Sequence, residues 1–452
     1  MDRRSLSLAA ALAAACTTHA GGDRPGDAGP TLDGGDPPGE DGGGPPLDGG
    51  DPPAPDGGGL DAGSVGCRGT GGAAVPFGSH RLPYAAGIRP NHVSQDEMDD
   101  AVRSYYATWK QRYLRRGCNA YYVLHDRGDT VSEAHGYGML IMALMAGEEA
   151  EARTIFDAMV GYFNDHRSEI VPALMAWRQV SCRDVEGDTS ATDGDLDIAY
   201  ALLLADRQWG SDGAIDYRAA AGDLLRGIRA GDVDASNRYL LLGDWTEDEA
   251  RYHDATRPSD FMPGHLATFA AIADPSWDQL LDSQYQVIAR AQTTLASSTG
   301  LVPDFVLHPL GSQATAPDFL EDGGDDDYEY NACRVPWRVA THYLTSGDAR
   351  GRDIVQRMNR FIKNASGNDP GAIRPGYHLD GSPLGPTYRD MAFVAPFAVA
   401  AMVDASHQGW LNDLWDTVVD DTGGGYYGDT IKMLSLIVLS GNWWAPEAAP
   451  CR

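Results

Sequence analysis

Three groups of carboxylates stand at, or just before, the starts of strongly apolar segments, where paired acids could perform general acid–base chemistry. The first is Thr130-Val-Ser-Glu133-Ala-His-Gly-Tyr-Gly-Met139. Glu133 falls in the first turn of a predicted helix, whose N-terminal dipole stabilises the ionised form. A general acid there needs burial or a neighbouring carboxylate to raise its pKa; alone, Glu133 could equally serve only the helix dipole. The second is Ser190-Ala-Thr-Asp193-Gly-Asp195-Leu-Asp197-Ile198. Its Asp-x-Asp-x-Asp opening imitates a calcium loop, but Ile198 and Leu204 occupy the positions that require Gly and Glu. Asp195 and Asp197 read as helix caps, and Asp193, before Gly194, as the acid that projects. The third is the acidic loop from Asp318 to Glu329, ahead of Tyr330-Asn331-Ala-Cys-Arg334. Asp325 to Asp327 read as solvated, whereas Glu321 follows Phe319 and Leu320, which could anchor it.

The elements that must position these acids are helices. Six segments are amphipathic: Met98–Leu114, Glu149–His166, Tyr217–Ala230, Trp277–Leu295, Gly351–Ala365 and Gln408–Asp421. Six are apolar nearly all round: Glu133–Ala146, Asp195–Ala205, Phe261–Ala273, Val335–Leu344, Met391–Val403 and Thr430–Leu439. A helix apolar on every side must be buried on every side. The two kinds alternate strictly, and polarity repeats without a repeated sequence, which disfavours a solenoid. The pattern predicts an all-α (α/α)6 barrel, six inner helices ringed by six outer ones, with the loops entering the inner helices gathered at one end. Gly136 and Gly138 would let neighbouring helices approach closely.

Composition bounds the rest. The 452 residues carry 35 Lys+Arg against 65 Asp+Glu, a net charge of −30. Such an excess argues against nucleic-acid binding, and no apolar run reaches the ~18–20 residues needed to span a bilayer. Residues 1–16 read as an export signal, with Arg3 and Arg4 before an apolar run. Ala13–Ala15 before Cys16 resemble a bacterial lipoprotein cleavage box, with a lipid anchor at Cys16; the alternative is an ordinary signal cut near Ala20. Residues 17–66 are a linker of Gly, Pro and Asp with nothing to bury, and are expected to be disordered and extended by their charge of −9. Residues 67–452 form the ordered domain, with a charge of −22. Cys67 and Cys451 could close it at its ends, Cys118 and Cys182 could form a second bridge, and Cys333 reads as a buried free thiol. No C-x-x-C pair or histidine set (His135, His253, His378) predicts a metal, no cofactor is expected, and a monomer is expected.

Taken together, Ser132-Glu133-Ala-His-Gly-Tyr-Gly-Met139, Ala191-Thr-Asp193-Gly, Pro258-Ser-Asp-Phe261, Tyr330-Asn-Ala-Cys-Arg334-Val-Pro-Trp-Arg338 and Tyr426-Tyr-Gly-Asp-Thr430 resemble, in order, the motifs of glycoside hydrolase family 8. The resemblance covers roughly residues 80–445. It implies an (α/α)6 barrel and inverting hydrolysis of β-1,4-linked polysaccharides; the N-terminal signal and the cysteines place the expected enzyme at the outer surface or outside the cell. By position it implies Glu133 as general acid, Asp193 as the Asp that holds the distorted sugar ring, and Tyr330 and Arg334 as lining of the cleavage subsite. The commonest subgroup has an Asp base where this chain has Asn331, and a neutral amide cannot take a proton from water. A second subgroup has Asn there and a Glu base on a preceding loop. Glu321 is the candidate, with Asp318 and Asp322 behind it. Inversion requires the base about 6.5–9.5 Å from the acid, with a water between.

Trp177, Trp245, Tyr426 and Tyr427 are candidate sugar-binding aromatics; Phe261 and Trp337, at apolar helix starts, equally suit the core. The favoured substrate is β-1,4-glucan attacked endo-wise, ahead of chitosan, which the negative charge would attract, and mixed-linkage glucan. A catalytically silent glycan-binding surface protein is the alternative of another class.

Overall fold

The computed structural model describes residues 66–451 except 70, 187, 247, 248, 322 and 386. The expected export signal, Cys16 and the Gly/Pro/Asp segment up to residue 65 lie outside the described residues, as does Asp322.

Six helices have one buried stripe: α1 (Gln95–Tyr113), α3 (Ala152–Asp165), α5 (Tyr217–Gly231), α8 (Trp277–Thr294), α10 (Ala349–Ala365) and α12 (Gln408–Asp420). In α10 the stripe is Gly351, Ile354, Val355, Met358, Asn359 and Ile362, the spacing of one helical face. Burial of each large apolar side chain is worth about 1.5–3 kcal/mol. A second set alternates with these: α2 (Ser132–Leu144), α4 (Thr192–Trp209), α7 (Pro263–Ile272), α9 (Val335–Ser346), α11 (Met391–Ala401) and α13 (Tyr426–Leu439). Every residue of α11 is buried, and in α2 every residue except Glu133. The expected twelve segments are therefore all helical. A further single turn, α6 (Ala250–His253), lies between α5 and α7.

The inner helices close into a ring. Helix α2 packs on α4, α4 on α7, α7 on α9, α9 on α11, α11 on α13, and α13 returns to α2. Each outer helix packs against an inner neighbour, α1 against α13 across the closure. This is an (α/α)6 barrel. Local chemistry fixes the element ends. Ser94 and Glu97 form a reciprocal capping box on α1, and Gly347, at φ 79°, ends α9 in the left-handed conformation that glycine adopts without steric cost. Helix α13 starts four residues earlier than its apolar run, because Tyr426 and Asp429 are themselves buried.

Short strands embellish the connections. The hairpin β1 (Leu114–Gly117)–β2 (Ala120–Val123) follows α1; β3 (Asp129–Val131), β4 (Arg178–Val180) and β5 (Arg183–Asp184) form a sheet that delivers the chain into α2. Cys118–Cys182 ties the first hairpin to the turn of the second, and Cys67–Cys451 joins the ends of the described chain across 384 residues. Cys333 is free and buried. Among the described residues no helix is long and apolar enough to cross a membrane.

Candidate active site

The site begins with a close helix crossing. A Cβ on Gly194 would collide with the side chain and carbonyl carbon of Ser132, and one on Gly136 would lie 2.7 Å from Cβ of Asp197. These two glycines let the N-terminus of α4 press into that of α2, which brings Asp193 beside Glu133. The other inner helices open at the same end: the turn Pro258–Asp260 precedes α7, the turn Ala332–Arg334 precedes α9, and Tyr426 begins α13.

Arg334, 1% exposed, joins these starts. Its Nη1 donates to Glu133 Oε2 and Asp193 Oδ2, each at 2.7 Å; its Nη2 donates to Ser259 Oγ and Asn331 Oδ1, each at 2.9 Å. Arg257 adds a second buried guanidinium, 3.3 Å from Asp193 Oδ1 and donating to Asp260 at 2.9 Å. Removing one partner from such buried ion pairs typically costs about 3–5 kcal/mol, because the other charge is stranded.

These surroundings drive two neighbouring carboxyls apart. Burial, the dominant influence, pushes Glu133 up to about 7; Asp193 adds to the rise, while Arg334 and the Tyr426 hydroxyl, which donates to Oε1 at 3.0 Å, oppose it. Burial also acts upward on Asp193, but Arg257, Arg334 and Arg338 outweigh it and hold that carboxyl below the usual range. One group is therefore equipped to give a proton near neutrality and the other to remain an anion. Asp260 is pushed up to about 6 by burial against the pull of Arg257.

The acidic loop supplies the other side. Phe319 and Leu320 are buried in a small apolar cluster with Leu242, Trp245, Tyr252, Ala255 and Phe305, so the anchoring expected for Glu321 is present. Asp325, read as solvated, is 2% exposed: its Oδ2 accepts from the backbone N–H of Leu320 (2.7 Å) and Glu321 (2.9 Å), folding the loop around itself. Glu321 Oε2 accepts from Asn331 Nδ2 at 3.1 Å. Behind this contact, buried Asp304 accepts from the backbone of Glu329, Asn331 and Ala332 and shapes the turn before α9. Burial lifts its carboxyl to about 7 against those hydrogen bonds. A continuous chain of contacts thus runs from Glu133 through Arg334 and Asn331 to Glu321.

Two further corrections concern the Asp-x-Asp-x-Asp segment. Ala191 is the N-cap of α4, without a side-chain cap bond. Asp195, fully buried, accepts from Met175 N–H, and Asp197 lies 2.9 Å from His265 and 3.0 Å from Arg338. Neither is a cap, because each has a tertiary partner that competes for its carboxylate. Among the described residues, no group of three or more His, Cys, Asp or Glu could hold a metal ion.

The aromatic candidates divide. Tyr330 is half-buried; its hydroxyl donates to Asp390 at 3.0 Å and lies 2.8 Å from that of Tyr388, an exposed ring at the rim of the site. Tyr427 donates to the Tyr330 carbonyl, and Tyr426 acts on Glu133 rather than facing solvent. Trp177 and Trp245 lie on connections, as expected, but are buried at 3% and 6% exposure; Phe261 and Trp337 belong to the core. Sequence reasoning missed Arg257, Ser259, Asp304, Asp325 and Tyr388. Arg257 adjoins a recognised motif and Ser259 lies inside it, whereas Asp304 acts on backbone groups, which leaves no side-chain pattern to read. His125, also missed, packs its ring edge-on to Tyr426 at 5.1 Å.

Fold and site together define a glycoside hydrolase. The sequence profile of glycosyl hydrolases family 8 matches residues 98–441, and the chain belongs to that family. A beta-glucanase of Niallia circulans is 45% identical over 374 residues, 82% of this chain and 91% of that protein. An endoglucanase of Bacillus sp. (strain KSM-330) is 37% identical over 387 residues, 82% of each chain. Among solved structures, the apo beta-1,3-1,4-glucanase from Paenibacillus sp. X4 superposes with a TM-score of 0.80 at 44% identity, covering 82% of this chain and all of that one. A reducing-end-xylose releasing exo-oligoxylanase, at 18% identity and TM-score 0.65, covering 79% of this chain and 96% of that one, shares the fold.

Proposed function

We propose that this enzyme hydrolyses mixed-linkage β-glucan endo-wise with inversion, using Glu133 as general acid and Glu321 as general base. The observation that most supports the pairing is the upward push on Glu133, to about 7, at one end of a contact chain that ends on Glu321. Protonated Glu133 gives its proton to the departing glycosidic oxygen. Glu321 takes a proton from water as the water oxygen bonds to the anomeric carbon on the face opposite the leaving group, so the new anomer is inverted. Anionic Asp193 receives the distorted ring's hydroxyls. Tyr330 and Tyr388 would line the sugar path, since pyranose rings present apolar faces to aromatics, with Tyr427 behind Tyr330.

The two relatives at 44–45% identity are named for β-glucan and β-1,3-1,4-glucan, which moves mixed-linkage glucan ahead of the β-1,4-glucan favoured by sequence reasoning. The more distant endoglucanases keep β-1,4-glucan as the second reading. Export, with or without a lipid on Cys16, would put the domain where such polymers occur, with the acidic linker as a spacer. Reducing-sugar release from barley β-glucan, carboxymethyl cellulose, xylan and chitosan tests the choice. Fastest turnover of barley β-glucan, with a mixture of oligosaccharides, is expected; fastest turnover of chitosan or xylan would overturn it.

A further inference from the structure

Asn331 occupies a position with an unusual demand on both halves of its amide. Its Oδ1 lies 2.9 Å from Arg334 Nη2 and 3.5 Å from Arg257 Nη1. A guanidinium has only donors, so the oxygen must face it, and the amide cannot be flipped without opposing N–H to N–H. With its oxygen fixed, Nδ2 can point only the other way, where it donates to Glu321 Oε2 at 3.1 Å. The backbone of Asn331 is immobilised as well, because its N–H donates to buried Asp304 at 3.0 Å. Asn331 itself is fully buried.

We propose that Asn331 is the positioning residue for Glu321: the arginine pair locks its amide, and the amide in turn aims the loop-borne carboxylate at the water-binding face of the site. This deepens the catalytic reading above and rests on it. An Asp at 331 would accept from the same arginines but could donate nothing to Glu321, and would set a second negative charge against it. The chemistry of an amide, one acceptor end and one donor end, is what allows a carboxylate on a loop to be held as firmly as one on a helix.

The charged groups around Glu321 set the sign of the effect. Arg257 faces it from the turn before α7 and interacts with its charge, Arg334 approaches from the turn before α9 through Asn331, Asp325 holds its backbone within the loop, and Arg251 on α6 donates to the Phe319 carbonyl. Amide donation favours the ionised carboxylate. Asn331→Ala removes it, so the acidic limb of kcat/KM moves to higher pH, kcat falls about 10- to 100-fold, and KM changes little. Asn331→Leu, similar in volume and uncharged, serves if the alanine variant folds poorly and moves the same limb in the same direction. The alkaline limb, which belongs to Glu133, stays in place in both. A shift of the alkaline limb alone would mean that the substitution acts through Arg334 on Glu133, and would overturn the proposal. So would a native kcat and acidic limb in a folded Asn331→Ala enzyme. Glu321→Gln, measured alongside, separates the two readings: inactivity there with native behaviour of Asn331→Ala rejects only the positioning role, whereas native activity there rejects Glu321 as base.

Discussion

Glu133 and Asp193 meet on one nitrogen of Arg334, each 2.7 Å from Nη1, yet burial and charge drive their carboxyls in opposite directions. The division follows from what each sees besides that nitrogen. Asp193 has Arg257 as a second cation, whereas the other oxygen of Glu133 meets the neutral hydroxyl of Tyr426. Their different tasks thus come from surroundings, and both acids would be near-equivalent in water.

The Glu133 carboxyl should govern the alkaline limb of the kcat/KM profile, with activity falling as pH rises through about 7. Tyr426→Phe removes a hydrogen bond to the ionised form, so Glu133 should hold its proton to higher pH and the limb should move upward. Stopped assays across pH 4–9 in both enzymes check this; an unmoved limb in Tyr426→Phe would separate Glu133 from it.

Gly194→Ala should be one of the costliest single-methyl changes in the chain. The added Cβ meets Ser132 at the crossing of α4 and α2, and overpacking of this kind typically costs about 1–3 kcal/mol. Activity should fall with stability because Asp193 and Glu133 are spread apart. Gly161→Ala, on α3 with open space around its Cβ, is the control. It should be neutral or stabilising by up to about 1 kcal/mol, as read by thermal denaturation.

Asp325→Ala should cripple turnover although Asp325 meets the contact chain only through the backbone N–H of Glu321. Two backbone N–H groups, of Leu320 and Glu321, lose their acceptor, at about 1–3 kcal/mol for each buried group left unsatisfied. The expected result is a kcat loss of tenfold or more with the barrel still folded by circular dichroism.

Asp195 and Asp232 are both fully buried, and burial followed by carboxylate repulsion raises each well above its usual pKa, Asp232 acting on Asp195 and Asp244 on Asp232. A carboxyl raised in the folded state gives its full stabilisation below the unfolded value near 4, and loses it as pH rises toward the folded value. Asp232→Asn keeps the acceptor for Ser190 while abolishing that loss. Its Tm relative to the parent should therefore climb between pH 4 and pH 8, by on the order of 1–2 °C or more at the upper end. A Tm difference independent of pH would contradict the protonated reading.

Much of this architecture was legible because helices leave a periodic trace. Ile354, Val355, Met358 and Ile362 announce one buried face, and Met391–Ala401 announces burial on all sides. The cysteine positions foretold both bridges and the free Cys333. The site was legible where a side chain sits inside a distinctive local motif, as Glu133, Asp193 and Arg334 do. It was obscured where long-range contacts reassign a familiar residue. Asp195 and Asp197 look like caps until α7, α9 and the loop before β4 supply partners, and Asp325 looks solvated until the loop wraps around it. Trp177 and Trp245 look like loop aromatics, but the connections around them are packed deeply enough to bury them.

The central claim is that Glu321 takes the proton from water, and Glu321→Gln in the presence of azide tests it most directly. Azide needs no general base, so it can attack the anomeric carbon where water no longer can. The prediction is a loss of hydrolysis by about 10²–10⁴-fold, partial recovery with azide, and an α-glycosyl azide as the product seen by proton NMR. Near-native release of reducing sugar by Glu321→Gln without azide, or initial hydrolysis products of retained β configuration from the parent enzyme, would contradict the account.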